Sequence, residues 1–113
     1  MARICEKNSC GGVGEIYLEP FLGPAERGPG CGLFARVTIP PGSSCGYHRH
    51  EGDAETYVIL SGEAEYNDNG AVRTVRAGDV TYTPDGASHG MDNTRGSEPL
   101  VFIALILKTP ATR

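Results

Sequence analysis

Apolar and polar residues alternate with period two through most of the chain. In Leu33-Phe34-Ala35-Arg36-Val37-Thr38-Ile39, the residues Leu33, Ala35, Val37 and Ile39 share one face, with Arg36 and Thr38 on the other, the pattern of a half-buried strand. Pro40-Pro41-Gly42 ends it, since proline cannot donate to a ladder. Similar stretches bounded by turn residues predict strands over 15–18, 45–50, 56–60, 63–67, 72–76, 79–83, 88–92 and 100–107. No window of a dozen residues keeps an i, i+3, i+4 apolar stripe free of proline and glycine, so no helix is expected. Nine strands without a helix predict an all-β domain, a sandwich or a barrel.

Asn67-Asp68-Asn69-Gly70 offers residues that tolerate positive φ between two predicted strands, and therefore predicts a tight hairpin. Residues 1–32 are less regular, with Gly11-Gly12-Val13-Gly14 and a proline- and glycine-rich stretch over 20–32. No Gly-Lys-Ser/Thr follows the glycines, so they read as a loop and not as a phosphate cradle. The expected organisation is an N-terminal arm with the first strand over 1–32, a barrel core over 33–108 and a tail over 109–113. The arm is expected to cross the barrel or a neighbouring subunit. The run 100–107 is apolar on both faces and needs a cover on each. Either the chain's own 15–22 segment folds over it or a second copy does, and the second option predicts a homodimer.

With 113 residues the chain holds one core. Sixteen glycines and eight prolines against few aromatics agree with short strands and tight turns. A formal charge of −4 leaves no basic surface for a phosphate backbone, so nucleic acid is not an expected partner. No apolar stretch approaches the ~18 residues that span a bilayer, and no membrane partner is expected. Cys5, Cys10, Cys31 and Cys45 form no Cys-x2-Cys pair, and the first residues lack a signal-like apolar run. A cytoplasmic protein with reduced thiols is the expectation; Cys5 and Cys10 are near enough in sequence to pair under oxidant, but no structural disulfide is expected.

All three histidines fall in two places, His48-Arg49-His50 and His89. Residues i and i+2 of a strand share a face about 6–7 Å apart, so His48 and His50 can present two imidazoles to one metal. A carboxylate from Glu55, delivered by the neighbouring antiparallel strand, and His89, turned back by Pro84-Asp85-Gly86, would converge there. Parity gives the expected cavity walls: Tyr57 and Ile59 on the face of Glu55, Met91 on that of His89, and Ala35 and Val37 on their strand's apolar face. Thr81 or Thr83 adds a hydroxyl. Tyr57 is the candidate catalytic residue for proton transfer, core packing being the other role open to it.

Two motifs resemble those of the cupin superfamily. Gly42-x5-His48-x-His50-x4-Glu55-x6-Gly62 is similar to its first motif, and Gly78-x5-Pro84-x-Gly86-x2-His89-x3-Asn93 to its second. The resemblance implies a single cupin β-barrel of jelly-roll topology with one divalent metal ion in its mouth, bound by His48, His50, Glu55 and His89. Fe, Mn or Ni suit that set, and Zn at lower coordination. Oxalate-decarboxylase-type cupins carry an arginine on the strand leading into the first histidine, where this chain reads Ser44-Cys45-Gly46; Cys45 would put a thiol near the metal instead. The implied function is a small metalloenzyme acting on a small oxygen-rich metabolite by oxygenation, decarboxylation or isomerisation. The alternative is a non-catalytic metal-dependent binder of a small-molecule ligand.

Overall fold

The strands are β1 (Ile4–Lys7), β2 (Glu15–Pro20), β3 (Cys31–Ile39), β4 (Ser44–Arg49), β5 (Asp53–Ser61), β6 (Glu63–Asp68), β7 (Ala71–Arg76), β8 (Val80–Thr83), β9 (Ser88–Asp92) and β10 (Leu100–Lys108). They come from a computed structural model that describes residues 2–110; the 111–113 part of the expected tail lies outside the described residues. All nine predicted strands are present. The two sheets are antiparallel, one in the order β1-β2-β3-β10-β5-β8 and the other β4-β9-β6-β7.

Alternation decides which side chains fill the core. Along β5 the residues Tyr57 and Ile59 are buried while Val58 and Leu60 are exposed, and along β10 Leu100, Phe102 and Ala104 are buried. With Ile39, Tyr66, Val75 and Met91 they form one cluster, each large side chain contributing roughly 1.5–3 kcal/mol. The hairpin between β6 and β7 has Asn69 at φ 53° and Gly70 at φ 102°, two positive values in succession as a type I′ turn requires. Asn67 Oδ1 accepts from Gly70 N at 2.8 Å.

Three features of the first thirty residues depart from expectation. β1 is an additional strand, all four of its residues exposed and paired with β2 alone, so it carries no alternation to read. Residues Ser9–Gly11 form a 3-10 turn. A single helical turn, α1 (Pro24–Arg27), follows β2, with Pro24 presetting its first φ and Glu26 accepting from Gly23 N at 2.8 Å. Four residues are too few for a helical stripe.

β10 lies between β3 and β5, which accounts for its apolar inner face. β2 pairs with β3 on the side away from β10, Tyr17 opposite Thr38 and Pro20 opposite Ala35. The 15–22 segment therefore does not fold over β10, and Val101, Ile103 and Leu105 remain half-exposed on the outer face.

Candidate metal centre

The four candidate ligands come from both sheets. β4 and β9 are neighbours, and His48 stands directly opposite His89. His50 lies just past the end of β4, where its N donates to Ala87 O at 2.9 Å and its O accepts from Gly86 N at 2.8 Å. Glu55 sits on β5 in the facing six-stranded sheet. This corrects the expected origin of the carboxylate. β4 pairs with β9, not β5, because the turn at Glu51 and Gly52 carries the chain across to the other sheet; Glu55 closes the cluster from across the sandwich.

Ligand atoms from His48, His50, Glu55 and His89 lie within 4.8 Å of one another. His50 Nε2 and His89 Nε2 are 3.0 Å apart, and Glu55 Oε1 is 3.0 Å from the first and 3.1 Å from the second. Ligands about 2.1 Å from an ion and at right angles to one another stand about 3.0 Å apart. The triangle therefore has the size of one face of an octahedron around a divalent ion. The residues present fit such an ion.

The far side of each imidazole is held. His48 Nδ1 lies 2.7 Å from Gly46 O and His50 Nδ1 2.7 Å from Asp53 Oδ1, both acceptors. Each Nδ1 therefore keeps its ring proton, which would leave the Nε2 lone pairs free to turn inward to an ion. His89 Nδ1 meets the Thr83 hydroxyl at 2.9 Å and the Tyr66 hydroxyl at 3.0 Å, which are 2.8 Å from each other. Without an ion, hydrogen bonding to Glu55 lifts the His50 pKa to about 9 against burial, with Asp53 adding to it. Burial raises the Glu55 pKa, but the bonds from His50 and His89 outweigh it and the net shift is downward. Burial lowers that of His48.

The cluster opens into a cavity of about 290 Å³, walled by Ile16, Leu18, Leu33, Val37, Phe102 and Ile106. Ile59, Met91 and Ala35, expected as walls, are instead core residues beneath it, leaving Val37 and Tyr57 as the correctly placed pair. Neither threonine expected to add a hydroxyl lines the cavity: Thr83 Oγ1 stands behind His89 on its Nδ1, and Thr81 Oγ1 is buried without a partner. Tyr57 is buried, its ring stacked on His89 at 5.0 Å between centroids and its hydroxyl 3.5 Å from His89 Nε2. Burial, then the Glu55 charge, raises its pKa well above 10, so it keeps its proton.

Sequence reasoning missed Tyr66 and Asp53, whose roles depend on long-range register and a corner turn. It also missed Glu6, Ser9 and Cys10, which bring the first residues to the cavity rim. Cys10 faces Cys45 there, and Cys5 Sγ lies against Glu15 Oε2 at 3.5 Å.

The cupin domain family profile matches residues 35–106, which carry all four clustered side chains. The chain belongs to the cupin domain family. An oxalate-binding protein of Thermotoga maritima is 44% identical over 100 residues, 88% of this cupin and 82% of that protein. A crystal structure of a predicted oxalate decarboxylase from Thermotoga maritima superposes with a TM-score of 0.91 at 40% identity, covering 96% of this cupin and 94% of that chain. A cupin 2 conserved barrel domain protein from Salinispora arenicola gives a TM-score of 0.67 at 28% identity, covering 80% and 74%. Among the described residues, no helix is long and apolar enough to cross a membrane.

Proposed function

We propose that this cupin binds one divalent metal ion through His48, His50, Glu55 and His89, and through it holds a small oxygen-rich anion of the oxalate class. The observation that carries this reading is the 3.0–3.1 Å triangle of His50 Nε2, His89 Nε2 and Glu55 Oε1, with a third imidazole beside it. Fe, Mn or Ni suit the set, and Zn at lower coordination. When bound, the ion supplies positive charge and open coordination positions, two of them in octahedral geometry. Among the described residues, no lysine or arginine lines the cavity, so the ion is the cation there that an oxalate-class ligand would meet. Similarity to the Thermotoga maritima oxalate-binding protein supports that class.

Binding without turnover is the reading the cavity favours, because beyond the four ligands its walls are mostly apolar. Tyr57 would donate a hydrogen bond to the held anion. A metalloenzyme that oxygenates, decarboxylates or isomerises its ligand is the second reading, and the Tyr57 hydroxyl beside His89 Nε2 favours it as a proton source. Calorimetry with Mn(II) and then oxalate tests both. Oxalate should bind the Mn(II)-loaded protein one to one, fail to bind metal-free protein, and be recovered unchanged. Equal binding without metal would overturn the reading, and carbon dioxide release would move the protein to the second one.

We further propose a cytoplasmic homodimer, joined through the outer face of the six-stranded sheet. There Val80 and Tyr82 are each 58% exposed and Leu60 45%, beside Val101, Ile103 and Leu105. Covering three large side chains contributes roughly 5 kcal/mol before association costs. Sedimentation at tens of micromolar should show twice the 12.0 kDa chain mass; a 12 kDa species would remove the dimer.

A further inference from the structure

Cys10 occupies a left-handed backbone conformation, φ 52° and ψ 34°, inside the Ser9–Gly11 turn, which a non-glycine residue rarely adopts. Hydrogen bonds tie the residues that follow that turn to Ser43 and to Ser44 at the start of β4. Ser44 N donates to Val13 O at 2.8 Å, Val13 N to Ser44 Oγ at 2.9 Å, and Glu15 N to Ser43 Oγ at 3.3 Å. The backbones touch at two glycines: a Cβ on Gly12 would run into Ser44 O, and one on Gly46 into Cys10 O. Ser44 and Gly46 flank Cys45, so these contacts set Cys10 directly against Cys45. The sulfur atoms lie within 4.8 Å of each other and of a His48 nitrogen. Both thiols are free, Cys10 exposed and Cys45 partly buried, and both line the cavity.

We propose that Cys10 and Cys45 form an oxidation site for hydroperoxides, closing to a disulfide that ties the Ser9–Gly11 turn to β4 beside His48. Cys10, the exposed sulfur, attacks the hydroperoxide. An S–O bond forms, the O–O bond breaks, and the alcohol or water leaves with the thiol proton. Cys45 then attacks the Cys10 sulfur; the S–S bond forms, the S–O bond breaks, and hydroxide leaves as water with the second thiol proton. Two thiols give up two electrons and two protons, and one hydroperoxide is reduced. Side-chain rotation closes the gap, since both cysteines already stand on backbones in contact. The link fixes one wall of the cavity mouth and slows exchange of the ion. That second consequence rests on the proposed metal site, whereas the disulfide does not.

Trypsin separates all four cysteines, placing Cys10 in 8–27 and Cys45 in 37–49. After hydrogen peroxide treatment of the full chain, mapping without reductant should show these two peptides joined, about 2 Da below their summed mass, and separated by dithiothreitol. Zn(II)-loaded protein should then surrender zinc to a chelator at least about tenfold more slowly. Cys10→Ser and Cys45→Ser should each abolish the link and leave the zinc release rate indifferent to peroxide. A link from Cys10 to Cys5 or Cys31, or Cys10 halted as sulfinic acid, would overturn the site. An intact link with unchanged zinc release would overturn its effect on the mouth. Failure to load zinc would count against the metal reading alone, because the peptide map decides the disulfide independently.

Discussion

His89 and His48 face each other across one register pair of β9 and β4, yet their surroundings are opposite. His89 is fully buried, stacked on Tyr57 and anchored by two side-chain hydroxyls from β6 and β8. His48 is half-buried, anchored by the carbonyl of Gly46, and shares its flank with two thiols at the cavity rim. The same residue type thus serves as a fixed post at the back and an accessible one at the mouth. Close packing and satisfied hydrogen bonds make the back rigid, while exposure leaves the mouth open to an ion, a ligand or an oxidant.

The contrast is broken most directly by deleting each ring. His89→Ala removes a ligand, opens a buried void and strips partners from Tyr66 and Thr83, so metal affinity should fall more than about 100-fold and metal-free stability by about 2–4 kcal/mol. His48→Ala should lower affinity about 10–100-fold and change stability by less than about 1 kcal/mol. Metal titration with urea unfolding measures both, and equal stability losses would end the distinction. A gentler probe is Thr83→Val, which keeps the volume and removes one anchor from His89 Nδ1. It should cost about tenfold in metal affinity, and Tyr66→Phe should do likewise; wild-type affinity in both would show that the hydroxyls only fill space.

Acidity sharpens the comparison with the smallest effect. The His50 pKa stands at about 9 in the metal-free fold, above its unfolded value of about 6.5. Its stabilisation is complete below about pH 6.5 and lost as pH rises through about 9. His48 shifts downward, so its contribution is present above about pH 6.5 and lost as pH falls. The melting temperature of metal-free protein should therefore decline from pH 7 to 10, and His50→Asn should flatten that decline. In metal-loaded protein protons compete with the ion, so stability should drop between about pH 6 and 4. Full metal occupancy at pH 4 would show that the histidines do not hold it.

Much of this architecture is legible in the chain because its strands obey parity. Glu55, Tyr57 and Ile59 point inward together, and Asn69-Gly70 announces its own turn. The two histidine-bearing motifs gather four side chains that the fold does bring together. What local pattern could not supply is partnership. Glu55 arrives from the facing sheet because a corner turn, not a hairpin, follows His50. Tyr66 and Thr83 meet His89 only through strand order. β1 is exposed and the Ser9–Gly11 turn holds no buried residue, so nothing in their hydrophobicity marks them as part of a cavity rim.

Anomalous diffraction at the manganese edge, from crystals of Mn(II)-loaded protein, tests the metal centre most directly. The account predicts one peak within about 2.0–2.3 Å of an imidazole nitrogen from each of His48, His50 and His89 and of a Glu55 carboxylate oxygen. A fully occupied peak elsewhere, or one lacking any two of these four side chains, would contradict it.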